Sequence, residues 1–241
     1  MENKSLMNRW CGRTWIDFSL AIATVMTVII LMNWQEWSTE LIIVAGIAVL
    51  LPLHVVEEWV FPGGFHYQYN FARRSGELDH YPMNRLTDML TNLIGVFVYI
   101  GFAIYSLCHG GIVPRGVVLG TIGLSFLEVI IHTILGTIMY VHFRTAGKRT
   151  IYGPGSITAY FGWGVAGVVL CYGVEWSALT SMDWIVGAIV LLVGLLGMCI
   201  VLPEAVFCNH ETSYAFPWAG YYERFLNDKE KSEKTIFDIN K

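Results

Sequence analysis

The chain has little charge for its length. Of its 241 residues only 14% are Asp, Glu, Lys or Arg, and 55% are apolar, whereas soluble domains carry about 25% charged residues. That shortage excludes an ordinary water-soluble fold, which could not hide so much apolar surface. A basic excess is missing too: the net charge of -4 speaks against a nucleic-acid partner. Cysteine is sparse, and Cys11, Cys108, Cys171, Cys199 and Cys208 are odd in number with no CxxC spacing. A disulfide framework and a zinc ribbon are therefore not expected, and the five read as buried structural thiols. No internal repeat is evident. No small-residue cleavage pattern follows the first apolar run before Asn33-Trp34-Gln35, so that run reads as a retained span rather than a signal peptide.

What the sequence does have is apolar runs of about 20 residues, the length that crosses a roughly 30 Å hydrocarbon core. Six are found, at approximately 15–34, 40–61, 86–108, 114–143, 156–174 and 184–203. They predict an all-α polytopic bundle forming one domain over 1–226, with a polar tail over 227–241. The fourth run exceeds a crossing and should tilt or project at its Phe143 end. Basic residues cluster before span 1 (Lys4, Arg9, Arg13), between spans 2 and 3 (Arg73, Arg74, Arg85) and between spans 4 and 5 (Arg144, Lys148, Arg149). The tail adds more, and the opposite connections hold only Arg115. Both termini are thus expected on the cytoplasmic side, in a membrane such as a bacterial inner membrane. Trp15, Trp34, Trp37, Trp59, Trp176 and Trp184 fall near span ends, where indoles favour the headgroup region. Trp163 lies within a span. The connection from Pro62 to Arg85 is rich in glycine and aromatics, which suits an interfacial or re-entrant segment.

Charge inside a span costs about 2.5–3.5 kcal/mol per group at mid-membrane, so each such group needs a partner or a purpose. Here they are concentrated. Span 2 carries His54, Glu57 and Glu58, span 3 carries Asp88 and Asn92, and span 4 carries Glu128 and His132; spans 5 and 6 carry none. The i, i+3, i+4 spacing places 54, 57 and 58 on one helical face, and i+4 does the same for 88 with 92 and 128 with 132. One imidazole and two carboxylates from one helix, with a Glu and a His from another, are a ligand set for zinc or iron, as one ion or two. His54 lies about 10 Å from the cytoplasmic end of span 2 at 1.5 Å per residue, so the site should open to that leaflet. Asp88 and Asn92 are candidates for an outer shell or for substrate contact, although Asp88 can equally pair with Arg85 or cap its helix. His66 and His80, in the aromatic connection, are candidates for a lid or an outer contact. Tyr152-Gly153-Pro154-Gly155 reads first as a turn.

His54-Val55-Val56-Glu57-Glu58 followed by Trp59-Val60-Phe61-Pro62, the later Glu128-Val129-Ile130-Ile131-His132, and the turn Tyr152-Gly153-Pro154-Gly155-Ser156-Ile157-Thr158-Ala159 together resemble a family of multispanning membrane proteins named for the HXXEE motif. The resemblance covers roughly residues 40 to 205. It implies a multispanning fold and a metal-dependent activity, and carries no established reaction.

Three functions follow from these residues. The first is a metal-dependent hydrolase of a lipid or other amphiphile, with whichever of Glu57 and Glu58 is not a ligand acting as general base. Prenyl-protein proteases are similar in placing Glu-Glu on one span, but their Glu-Glu-x-x-x-Arg pattern fails against Trp59, Val60, Phe61 and Pro62. The second is a di-iron lipid oxidoreductase; the seven histidines contain no HxxHH or HxxxH of the desaturase kind, so such a site would be carboxylate-rich. The third is a metal or proton-coupled transporter, disfavoured by the absence of inverted repeats and the uncharged spans 5 and 6.

Overall fold

The computed structural model describes residues 6–226; the expected polar tail lies outside them. Six helices are long and apolar enough to cross a membrane. We label the helices α1 (Leu6–Met32), α2 (Thr39–Val60), α3 (Phe65–Ala72), α4 (Arg85–Cys108), α5 (Arg115–Phe143), α6 (Ser156–Gly173) and α7 (Ser181–Phe207). All but the short α3 are the candidate spans.

Local chemistry starts these helices where they start. The Ser38 hydroxyl accepts from Leu41 N at 3.2 Å, Asn84 and Thr87 form a capping box at α4, and Thr180 with Asp183 does the same at α7. Each supplies acceptors to amides that a helix cannot satisfy itself. Two boundaries differ from the apolar runs. Helix α1 begins nine residues earlier than expected, carrying Arg13 and Asp17 on an exposed turn where they pair at 3.2 Å. Helix α7 runs through Pro203 to Phe207, so Glu204, placed beyond span 6 by hydropathy, is inside the helix. Pro203 is tolerated because it follows a wide π-helical stretch, Val190–Val201, and opens the next α-helical segment, where a missing N–H costs little.

Helices α2, α4, α7, α5 and α6 pack in a ring, each on the next, with α6 closing back on α2; α1 lies outside against α2. Side chains facing away from the ring remain apolar, as with Leu31, Phe161 and Leu192. Such a surface suits a lipid environment. Helix α5, about 43 Å long at 1.5 Å per residue, ends in Phe143, which is buried in an aromatic stack with Tyr67 of α3 and Tyr222 and Phe225 of the turn Gly220–Phe225. The aromatic connection thus forms α3, and together with residues 216–226 it covers one end of the bundle. The two segments approach at Gly64 (φ 100), where a Cβ would stand 2.4 Å from Ala219 O.

Two expectations need correction. Only Cys11 and Cys199 are buried; Cys108 is exposed and Cys171 and Cys208 are half-buried, all as free thiols, because Cys108 and Cys208 sit at helix ends. Trp15 and Trp59 are not headgroup anchors: both are buried and pack edge to face at 5.2 Å, since the longer α1 draws Trp15 inside.

Candidate metal centre

The last turn of α2 is a π-helix, Val56–Val60. A regular α-turn would have kept Glu57 and Glu58 on the face of His54. The wide turn instead sends the two carboxylates to different partners, a recurrent use of π-bulges at functional sites.

Glu58 stays with His54. Its Oε1 lies 3.3 Å from His54 Nε2 and 3.5 Å from His132 Nε2, while Glu128 Oε2 lies 3.8 Å and 3.6 Å from the same two nitrogens. His54, Glu128 and His132 can each offer one ligand atom with all three within 4.8 Å of one another. Neighbouring ligand atoms on a tetrahedral ion with bonds of about 2.0–2.1 Å stand roughly 3.4 Å apart, so the spacing fits a metal. The donor chemistry fits as well. His132 is buried, and its Nε2 faces the Glu58 and Glu128 carboxylates at 3.5 and 3.6 Å without a hydrogen bond of normal geometry. A buried imidazole in that condition requires a reason.

Glu57 is occupied elsewhere. Its Oε1 accepts from Ile157 N (3.0 Å) and the Tyr152 hydroxyl (3.2 Å), and its Oε2 from Thr158 N (2.8 Å) and the Thr158 hydroxyl (2.6 Å). It therefore sits on the N-terminus of α6, where unpaired amides and the helix dipole favour an anion. Burial and the Glu57 carboxylate beside it hold the Tyr152 phenol well above its usual pKa. Because the Thr158 hydroxyl donates to Glu57, its lone pair faces His54 Nδ1, 2.6 Å away. That makes Nδ1 the donor and directs Nε2 toward Glu58, Glu128 and His132, where it is placed to serve as a metal ligand.

The turn before α6 closes the other side. Gly155 has φ 88, and a Cβ there would lie 2.2 Å from His132 Cε1 and 3.0 Å from Glu58 Cγ. The turn reading is correct, and the turn is also a wall of the cluster. The Phe65 ring of α3 lies 5.2 Å from the His132 ring, and Trp163 of α6 stands edge-on to His54 at 6.4 Å.

The remaining candidates lie apart from the quartet. Asp88 accepts from the Trp59 indole and from Asn92 Nδ2 at 2.8 Å. It neither pairs with Arg85, which reaches Tyr214 O and Ser213 O, nor caps α4, a role taken by Asn84. His66 stacks on Phe216 at 3.7 Å. His80 bonds Asp79 and His210 O, tying the 208–216 segment to the α3–α4 connection.

The ring of helices encloses a cavity of about 120 Å³, lined in part by His54, Glu58, Asp88, Asn92 and Glu128. Glu204 and Tyr69 also line it and are hydrogen-bonded to each other at 2.5 Å. Burial first, and then the Glu204 carboxylate, raise the Tyr69 phenol pKa. Thr158, Glu204 and Tyr69 were missed as site residues: hydropathy ended span 6 one residue before Glu204, and a threonine in a turn carries no ligand signal of its own.

Fold and cluster together define a polytopic helical membrane protein with a buried His/Glu group able to hold a metal ion. Residues 45–170, just over half of the chain, match the model of a family described as proteins of unknown function with an HXXEE motif, and the chain belongs to that family. It matches no curated protein and no solved structure.

Proposed function

We propose that this protein is an intramembrane zinc-dependent hydrolase acting on a lipid or other amphiphile that reaches the site from the cytoplasmic leaflet. The observation that carries this reading is the convergence of His54, Glu128 and His132, two of which, His54 and Glu128, line a largely apolar cavity. Two imidazoles and one carboxylate with room for a further ligand are the donor set of catalytic zinc sites. A divalent ion held there supplies Lewis acidity, polarising a scissile carbonyl and acidifying water.

The chain's own groups then divide the work. Glu58, beside both imidazoles, takes the proton of the attacking water as general base. Glu57 fixes Thr158, and Thr158 fixes the His54 ring with Nε2 toward the ion, an outer-shell arrangement common at metal-ligating histidines. The cavity walls hold the apolar part of the substrate and exclude bulk water. The basic residues flanking the α3 end of the bundle, including Arg73, Arg85 and Arg144, orient that end and both termini to the cytoplasm.

Elemental analysis of protein purified in detergent without chelators tests this. About one zinc per chain supports the hydrolase. Iron would replace it with an oxidoreductase, and metal-free protein would overturn both.

A further inference from the structure

Thr158 orients one imidazole of the cluster, His54; the other, His132, is reached by a separate chain of contacts. His132 turns Nε2 toward Glu58 and Glu128, so its Nδ1 looks the other way, at the Gly153-Pro154-Gly155 turn. A Cβ on Gly155 would stand 3.0 Å from that nitrogen, and the backbone group of the turn that interacts with the imidazole is the Pro154 carbonyl. A metal-ligating histidine commonly donates its second N–H to such a carbonyl, which fixes the tautomer and keeps the first nitrogen for the ion. The orientation of His132 therefore depends on where Pro154 O is held.

It is held by α3. Gln68 is fully buried, and its Nε2 donates to Pro154 O at 3.2 Å; a carbonyl oxygen has two lone pairs and accepts from both donors. Tyr222, also fully buried, donates its hydroxyl to Gln68 Oε1 at 2.5 Å and so decides which end of the amide faces the turn. Turned over, the amide would set its oxygen against the Pro154 oxygen with no proton between them. Tyr222 is in turn stacked on Tyr67 and Phe143. A Cβ on Gly153 would lie 2.3 Å from Gln68 Oε1 and 3.0 Å from the Tyr222 hydroxyl, so turn, amide and phenol interlock. Burying an amide is costly unless both its ends are paired. Here one end is spent on the turn beside the cluster and the other on the residue that aims it.

We infer that Gln68 is a positioning residue of the metal centre: with its amide aimed by Tyr222, it holds the Pro154 carbonyl as the acceptor for His132 Nδ1–H and so keeps His132 Nε2 for the ion. This deepens the hydrolase reading and rests on it for the ion alone. It also completes the site from outside the family match, because Tyr222 lies beyond residues 45–170, in the segment that covers the α3 end of the bundle.

The experiment uses the full chain in lipid bilayers, labelled with ¹⁵N-histidine and freed of metal by chelation. Magic-angle-spinning NMR then reads which ring nitrogens carry protons, with His132 assigned by the signals that His132→Ala removes. The wild type should show a protonated, hydrogen-bonded Nδ1. Gln68→Met, similar in size but without the amide, should shift or abolish that Nδ1–H signal. Tyr222→Phe, which removes only the hydroxyl, should act in the same sense and more weakly. Tyr221→Phe, whose hydroxyl stands near Lys148 instead, should leave the signal in place. On adding zinc, competition with a chelator should show Gln68→Met binding about tenfold or more weakly than wild type. An unprotonated Nδ1 in the wild type, or a His132 signal that neither Gln68→Met nor Tyr222→Phe moves, would overturn the inference; Tyr222→Phe carries the test if Gln68→Met does not fold. The two readings fail separately. A wild type that takes up no zinc while its His132 signals respond as described rejects the hydrolase and upholds Gln68, and zinc uptake with an unmoved His132 does the reverse.

Discussion

The Thr158 hydroxyl lies 2.6 Å from His54 Nδ1, and the same oxygen donates to Glu57 at 2.6 Å. The chain therefore links the histidine and the first glutamate of its HXXEE motif through a residue about a hundred positions away. Glu57 orients and Glu58 faces the site, although the two are adjacent in sequence. A wide turn of α2 and the N-terminus of α6 produce that division.

If Thr158 sets the His54 tautomer, removing its hydroxyl should weaken metal binding without removing a ligand. Thr158→Val is expected to cost about 10–100-fold in metal affinity, the usual range for such outer partners, while Thr158→Ser should stay near wild type. Glu57→Gln should resemble Thr158→Val, because an amide NH₂ would oppose one of the donors that Glu57 now accepts. Competition titration against a chromogenic chelator measures this, and equal affinity for Val and Ser at position 158 would refute the relay.

His54→Ala and His132→Ala should each lose most of the bound metal while keeping a monodisperse detergent profile. Full occupancy in both variants would show that the ion, if present, binds elsewhere.

Gly155→Ala tests the wall of the site. Left-handed backbone costs a non-glycine residue about 1–2 kcal/mol, and here the new methyl also meets His132. Gly147→Ala is the matched control, with φ 95 and no atom within 4 Å of the added carbon. Thermal unfolding should place Gly155→Ala clearly below Gly147→Ala, and only the former should lose metal. Identical melting points would mean that the turn does not press on the cluster.

Lys148 gives a pH dependence away from the membrane-spanning helices. Its ammonium donates to Tyr152 O and lies 4.6 Å from the Tyr221 ring centroid. Burial, and then the Arg224 guanidinium, lower its pKa from 10.5 to about 8. Between about pH 8 and 10 the unfolded chain keeps this proton and the folded chain releases it, so raising the pH favours the folded state. The cost of burying the charged amine is full below pH 8 and fades above it. Unfolding measured from pH 7 to 9 should show that rise, and Lys148→Met should flatten it. Readings belong below about pH 9, because Tyr69, Tyr152 and Tyr222, all raised by burial, ionise in the unfolded chain at about pH 10 and work in the opposite direction.

The sequence by itself determined the class of fold and the membership of the cluster's centre. Six apolar runs became six long helices because length and hydropathy are local properties. His54, Glu58, Glu128 and His132 were legible because charge inside an apolar run stands out and i+4 spacing keeps pairs on one face. Tertiary structure decided the rest. Glu57 left the face it shared with His54 because the last turn of α2 widens, a backbone choice that residue spacing does not record. Thr158 acquired a role only when the start of α6 was set against α2. Glu204 joined the cavity because α7 continues through Pro203, and Trp59 turned from an expected interfacial anchor into a donor to Asp88. Each of these depends on contacts between helices far apart in the chain, which hydropathy and spacing along one helix do not encode.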